Sequence, residues 1–212
     1  KPDLEVFTKN DIPLEYFQMI LKKQAVVNPG VRFILIDEES ENREEFYYKN
    51  GITDYIKEIS AEKEFSEIQS FRTTEVGRDR EDKPEYKVKI HVAFCFNNHV
   101  NLLEYYHNSS FLEHGGSPDR AIKNAFTYAV DKYIKNVNKY TKGEKKINFI
   151  DIEDSLILIS NTFSTVTSYE NQTKKAINNK FIQDAMTEFL KHKLEIYFIE
   201  NKAEADKIAD QI

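Results

Sequence analysis

The plainest pattern in the chain is an alternation. Tyr86, Val88, Ile90, Val92, Phe94 and Phe96 interleave with Lys87, Lys89, His91, Ala93 and Cys95, which is the period of a strand with one buried face. Asn97-Asn98 is a turn signal, and residues 101–107 are expected to return as the partner strand. Residues 156–163 are almost continuously apolar, which predicts a strand covered on both faces and central in its sheet. A further strand is expected over residues 67–76, with a turn at 78–84.

Helical spacing recurs along the rest of the chain. Leu14, Phe17, Ile20 and Leu21 follow the helix-start residues Asp11 and Pro13, and Asn28-Pro29-Gly30 ends that run. Ile52, Tyr55, Ile56 and Ile59 make a short amphipathic helix after Asn50-Gly51. Ala121, Ile122, Ala125, Phe126, Ala129, Val130, Tyr133 and Ile134 sustain a broad apolar face. Ser117 is placed to cap that helix, and Pro118 suits its first turn. Residues 178–198 carry Phe181, Ala185, Phe189, Leu190, Leu194, Tyr197 and Phe198 near one stripe, and a last helical stretch covers 203–212.

Nearer the start, residues 1–7 are expected to be extended, because proline disfavours helix in the residue before it. Residues 31–36 read as a buried strand, joined by the polar turn 37–43 to a second strand through Phe46, Tyr47 and Tyr48. The predicted fold class is α/β (α+β): a mixed β-sheet backed by helices, preceded by a helix and a hairpin.

Composition narrows the function classes. Among 212 residues, 40% are hydrophobic and 13% aromatic, enough for a packed core, and the 31% that are charged are mixed in sign, as in a globular chain. The net charge of −6 means that any contact with nucleic acid has to come from a local patch. The single cysteine, Cys95, excludes an internal disulfide and fits a reducing compartment; on the second face of its strand it reads as a small packed residue. No apolar run approaches membrane-spanning length. The chain starts at Lys1 rather than a methionine, so it is expected to be cut from a longer protein.

Little self-contained chemistry is visible. Histidines 91, 99, 107, 114 and 192 lack metal-ligand spacing, and six glycines leave little room for a phosphate-cradling loop. Asp151, Glu153 and Asp154 read as helix-start acids favouring the dipole, and residues 142–146 as a solvated turn. Residues 164–175 form a polar loop that interrupts a strand and precedes a long helix, and Gln172-Thr173-Lys174 sits in it. A lysine there offers a compact charge with three donors, able to follow a phosphate.

Five segments, in order, carry a resemblance: Pro2-Asp3, Tyr48 to Ile52, Gly115-Gly116, Asp151 to Leu156 and Gln172-Thr173-Lys174. In these the chain resembles the DNA gyrase B and topoisomerase IV B family of ATP-dependent type II DNA topoisomerases. It departs from the family pattern at Ser117-Pro118, at Glu153 in place of arginine and at Ser155 in place of glycine.

The likeness implies that residues 1–50 are the end of a GHKL-type ATP-binding lobe and residues 51–212 its second, transducer domain. It implies that Gln172 and Lys174 reach the terminal phosphate of ATP, with Lys174 acting catalytically once the upstream lobe is present. Lys123 and Arg120 would face the DNA-sized cavity. The full-length protein would use ATP and Mg2+, while this chain alone would need no cofactor, hold no metal and be inactive. A second copy, a topoisomerase A subunit and double-stranded DNA are the implied partners, in the cytoplasm of a bacterium and with no membrane. Nucleotide state would become movement, driving dimer closure and strand passage. Two other readings stay open: the second lobe of a mismatch-repair ATPase of the same superfamily, and a stand-alone interaction module without nucleotide chemistry.

Overall fold

The chain is described by a computed structural model at residues 3, 5, 6, 8, 12–38, 40–143 and 145–212, and it divides into two units, Lys1–Gly51 and Ile52–Ile212. In the first, helix α1 (Leu14–Val27) follows Pro13, and Gly30, at φ 79°, supplies the left-handed turn that ends it. Strands β1 (Phe33–Asp37) and β2 (Asn42–Phe46) pair antiparallel, with Phe33 opposite Phe46.

Three expectations shift here. Ile34 and Ile36 are exposed, not buried, because a two-stranded ribbon backed by α1 covers only one face. Pairing ends at Phe46, so Tyr47 and Tyr48 leave the strand, and the Tyr48 carbonyl accepts from the Gly30 and Gly51 amides at 3.0 and 3.3 Å. Of the extended segment expected at 1–7, the described Asp3, Glu5 and Val6 form a turn, with the Val6 amide on the Asp3 carbonyl at 3.1 Å. Pro2 and Asp11 lie outside the described residues.

The second unit begins with α2 (Ile52–Ser60) and β3 (Gln69–Gly77), then β4 (Tyr86–Phe96), β5 (Leu102–His107), β6 (Ser110–Phe111) and β7 (Gly115–Gly116). It continues through α3 (Ser117–Asn136), α4 (Phe149–Glu153), β8 (Leu156–Ser164), β9 (Ala176–Ile177), α5 (Lys180–Glu200) and α6 (Lys202–Gln211). The sheet order is β3-β4-β8-β5-β6, so the sheet is mixed: β8 runs antiparallel to β4 and parallel to β5.

β5 is therefore not the hairpin partner of β4, as its sequence position suggested. Asn97 turns the chain away instead. Its amide donates to the Ser155 carbonyl at 2.8 Å, and its Oδ1 accepts the His99 and Val100 amides at 2.7 and 3.1 Å. β8, with Leu156 to Ile159 fully buried on both faces, takes the place beside β4.

The inner face of β4, with Leu156 and Leu158, packs on α3 and α5 to form the core. Phe94 anchors it, edge-on to Phe126 and Tyr197 at 5.1 and 5.9 Å. On the other face α2 meets β4 and β8, and its buried Ile52 and Ile56 lie outside that core, as do Ala93, Cys95, Ile157 and Ile159. Cys95 is fully buried there, and burial pushes its thiol up to about 12, as suits an inert packed residue.

Helix starts show how tertiary contacts replace local caps. Ser117 does not cap α3; its hydroxyl donates to the Ile177 carbonyl at 3.2 Å. α5 begins at Lys180 rather than 178, because the Asn178 amide is already bound to the Ser168 carbonyl at 2.8 Å. Its cap comes from Asp79, whose Oδ1 accepts the Phe181 amide at 2.9 Å and the Tyr86 hydroxyl at 3.0 Å. At α4, Asp151 completes a capping box with Asn148, consistent with its reading as a helix-start acid.

Candidate functional site

The loop between β8 and α5 is closed at its base by a pair of two-residue strands. β7 and β9 run parallel, Gly115 beside Ala176 and Gly116 beside Ile177. Gly116, at φ 82°, has no substitute: a Cβ there would stand 2.1 Å from the Ile177 carbonyl oxygen and 2.8 Å from its nitrogen. The His114 amide adds a bond to the Lys175 carbonyl at 3.0 Å. Across the loop, Tyr169 bridges Ile177, and the Glu170 amide donates to the Ala176 carbonyl at 3.0 Å. Two sequence motifs about sixty residues apart, Gly115-Gly116 and Gln172-Thr173-Lys174, thus share one small structure.

The tip itself projects. Gln172, Thr173 and Lys174 are exposed, and Asn171 Oδ1 organises them by accepting the Thr173 amide at 3.1 Å and its hydroxyl. Lys174 adopts φ 58°, a left-handed conformation that costs a non-glycine residue of the order of 1 kcal/mol. Its ammonium rests 5.6 Å from the Tyr169 ring centroid, while Lys175 is paired with Glu113.

Arg120 connects this tip to the helices. Its Nη1 holds Glu170 Oε1 at 3.1 Å, its Nε donates to Gln183 Oε1 at 2.8 Å, and its Nη2 reaches the Ser117 hydroxyl at 3.4 Å. Lys123, one turn further along α3, pairs with Asp119 at 3.1 Å and lies 5.8 Å from the Phe149 ring. The structure therefore joins Gln172, Lys174 and Arg120 through one loop base, with Lys123 beside it on α3.

Sequence reasoning missed the group under the stem. His107 is fully buried, with its ring nitrogens 2.8 Å from the Thr162 and Thr167 hydroxyls. Burial lowers its pKa to about 4, so it is neutral at physiological pH. Asn108 pins Ser164 from both sides, taking its amide at 2.9 Å and donating to its carbonyl at 3.0 Å. No spacing in the sequence links residues that meet only across parallel strands.

What the site offers is an amide and an ammonium on a held tip, suited to one end of an anion. Among the described residues no group of three or more His, Cys, Asp or Glu side chains suits a metal, and no helix is long and apolar enough to cross a membrane.

The chain has an α/β fold of known structure: it superposes on the ATPase domain of Thermus thermophilus gyrase B with a TM-score of 0.72, at 19% identity, over 100% of this chain and 55% of that one. The DNA gyrase B family model matches residues 51–212, and the chain belongs to that family. It is 28% identical to the DNA gyrase B protein of Mycoplasma genitalium over 214 aligned residues, covering 98% of this chain and 33% of that protein. It is 26% identical to the B protein of DNA topoisomerase 4 from Bacillus subtilis, covering 95% and 30% respectively. The chain thus spans about a third of the length of these relatives.

Proposed function

We propose that this chain is the nucleotide-sensing second domain of the B component of an ATP-hydrolysing type II DNA topoisomerase, an isomerase, with residues 1–50 the end of its ATP-binding lobe and residues 51–212 the transducer. The observation that carries the reading is the exposed Gln172-Thr173-Lys174 tip, latched at its base to the glycines that open α3. Gln172 and Lys174 fit the terminal phosphate of ATP. The remainder of the nucleotide, and Mg2+, would be held by residues outside this chain.

Bound ATP supplies a phosphate whose charge redistributes on hydrolysis. Lys174 leaves its contact with Tyr169 to balance that charge, while Gln172 orients the phosphate by hydrogen bonding. Because Glu170 is tied to Arg120, a shift of the tip is felt by α3 and α5 together. Lys123 on α3 contacts DNA phosphate; Arg120, also assigned to the DNA cavity on the family likeness, has its guanidinium engaged by the loop. A second copy, the topoisomerase A component and duplex DNA complete the cytoplasmic machine.

The test is Lys174→Ala in the full-length protein. ATP hydrolysis should fall on the order of a hundredfold, the cost of removing one preorganised charge donor. Stability should stay within roughly 0.5 kcal/mol, as for an exposed side chain. Lys175→Ala, which loses only the Glu113 pair, serves as control. Equal rates for Lys174→Ala and wild type at saturating ATP would overturn the proposal.

A further inference from the structure

The outer face of the sheet is covered by α2 at one end and bare at the other. Along β4 this face reads Lys87 and Lys89 exposed, His91 half-buried, then Ala93 and Cys95 fully buried. Register places Val76 beside Lys87, Lys89 between Thr74 and Phe163, and His91 between Arg72 and Asn161. The bare end therefore groups Arg72, Lys87 and Lys89 with two exposed apolar side chains, Phe163 at 55% and Val76 at 60%. No carboxylate belongs to this set.

The charge is not spent internally. Elsewhere in this unit Arg78 pairs with Glu85 and Lys132 with Glu195. Arg72, Lys87 and Lys89 form no ion pair among the described residues. Burial, helped by nearby Arg72, depresses the His91 pKa to about 4, so near neutrality the charge of this cluster is that of Arg72, Lys87 and Lys89. On a chain of net charge −6 this is a local reversal of sign on a flat surface. Arg72 and Lys89 are diagonal neighbours, about 7–8 Å apart at the backbone, so long side chains can spread over successive anionic groups.

We infer that this bare sheet end is a docking surface for the phosphate backbone of duplex DNA, separate from Lys123 on α3. The inference rests on the topoisomerase reading above for the choice of polyanion. Contacts of this kind are sequence-independent, arise from counterion release and weaken as salt rises. Phe163 flanks Lys89 from the β8 side and adds an exposed apolar edge to the cluster.

The experiment is fluorescence anisotropy of a short labelled duplex against the chain at low and rising salt. The variants are Arg72→Glu, Lys87→Glu and Lys89→Glu combined, and the neutral Arg72→Gln, Lys87→Gln and Lys89→Gln set, each checked for an unchanged melting transition. The expected result is at least about a tenfold weaker apparent Kd for the acidic set, with the salt slope reduced by about three, one per lost phosphate contact. The neutral set should show the same loss of slope. An unchanged Kd and slope in both sets, or no duplex binding by the unaltered chain at low salt, would overturn the inference. So would loss of binding to a labelled acidic peptide while duplex binding is kept, which would assign the face to a protein partner. The Lys174→Ala hydrolysis assay reads the topoisomerase proposal independently, so the two can fail separately.

Discussion

Arg120 and Glu170 meet at 3.1 Å, one at the start of the long helix α3 and the other in the loop that carries Gln172 and Lys174. Both side chains are partly exposed, at 44% and 39%, so the pair adds little to stability, about 1 kcal/mol at most. Its importance is geometric, since the same guanidinium also holds Gln183 of α5.

Breaking that link should uncouple rather than unfold. In the full-length protein, Arg120→Ala and Glu170→Ala should each reduce stimulation of ATP hydrolysis by DNA severalfold, and the double variant should be no worse than either single one. That non-additivity is what a shared contact requires. ATPase rates measured with and without DNA for the three variants check it, and fully additive losses would remove the pair from the coupling route.

Gly116→Ala should be severe. The new Cβ meets backbone atoms of Ile177, which cannot swing aside as a side chain would, and φ 82° is itself unfavourable for alanine. A loss of at least about 2 kcal/mol is expected in urea unfolding. Gly143→Ala, at a similar φ but with nothing within 4 Å, separates strain from collision and should cost clearly less.

His107 makes stability depend on pH. Its folded pKa of about 4 lies below the ordinary 6.5, so the unfolded state takes up the proton first as pH falls. Stability from this residue is intact above about 6.5 and declines as pH drops from there toward 4; His91, depressed to about 4 by burial and by Arg72, adds in the same direction. Denaturation midpoints at pH 7 and pH 5 should differ, and His107→Gln should narrow the gap. No narrowing would mean that other groups carry the acid response.

The chain by itself should not bind ATP measurably. On the proposed reading it offers only Gln172 and Lys174 to one phosphate, and its six glycines form no Gly-rich cradle. Calorimetry that detected micromolar affinity would contradict the assignment of residues 1–50 to the end of an ATP-binding lobe and of residues 51–212 to a second domain.

Sequence and structure agree best where a local period decides the outcome. β4, β8 and the apolar face of α3 were legible because burial repeats every two or every three to four residues. Pairing was not. β5 chose β8 over its neighbour in sequence because Asn97 spends its amide and side chain on Ser155, Ser60 and the turn, contacts that no window of sequence contains. β7 and β9, two residues each, have no period to detect. Gln172 and Lys174 were singled out by the family likeness, and the structure places both on an exposed tip. Arg120 was assigned to the DNA cavity on the family likeness, and its contact with Glu170, fifty residues away, has no signature in the sequence.

The placement of β8 also sets a timetable. β4 ends at Phe96 and β5 at His107, yet the strand that separates them starts only at Leu156. As the chain leaves the ribosome, β4 and β5 must each wait with an open row of amides and carbonyls until α3 and α4 have been made. A nascent or clipped chain ending before Leu156 keeps two apolar strand edges facing solvent, which is a template for aggregation rather than for folding. Assembly of this sheet is therefore last-in, centre-filling, and the arrival of one nine-residue strand commits the whole layer at once.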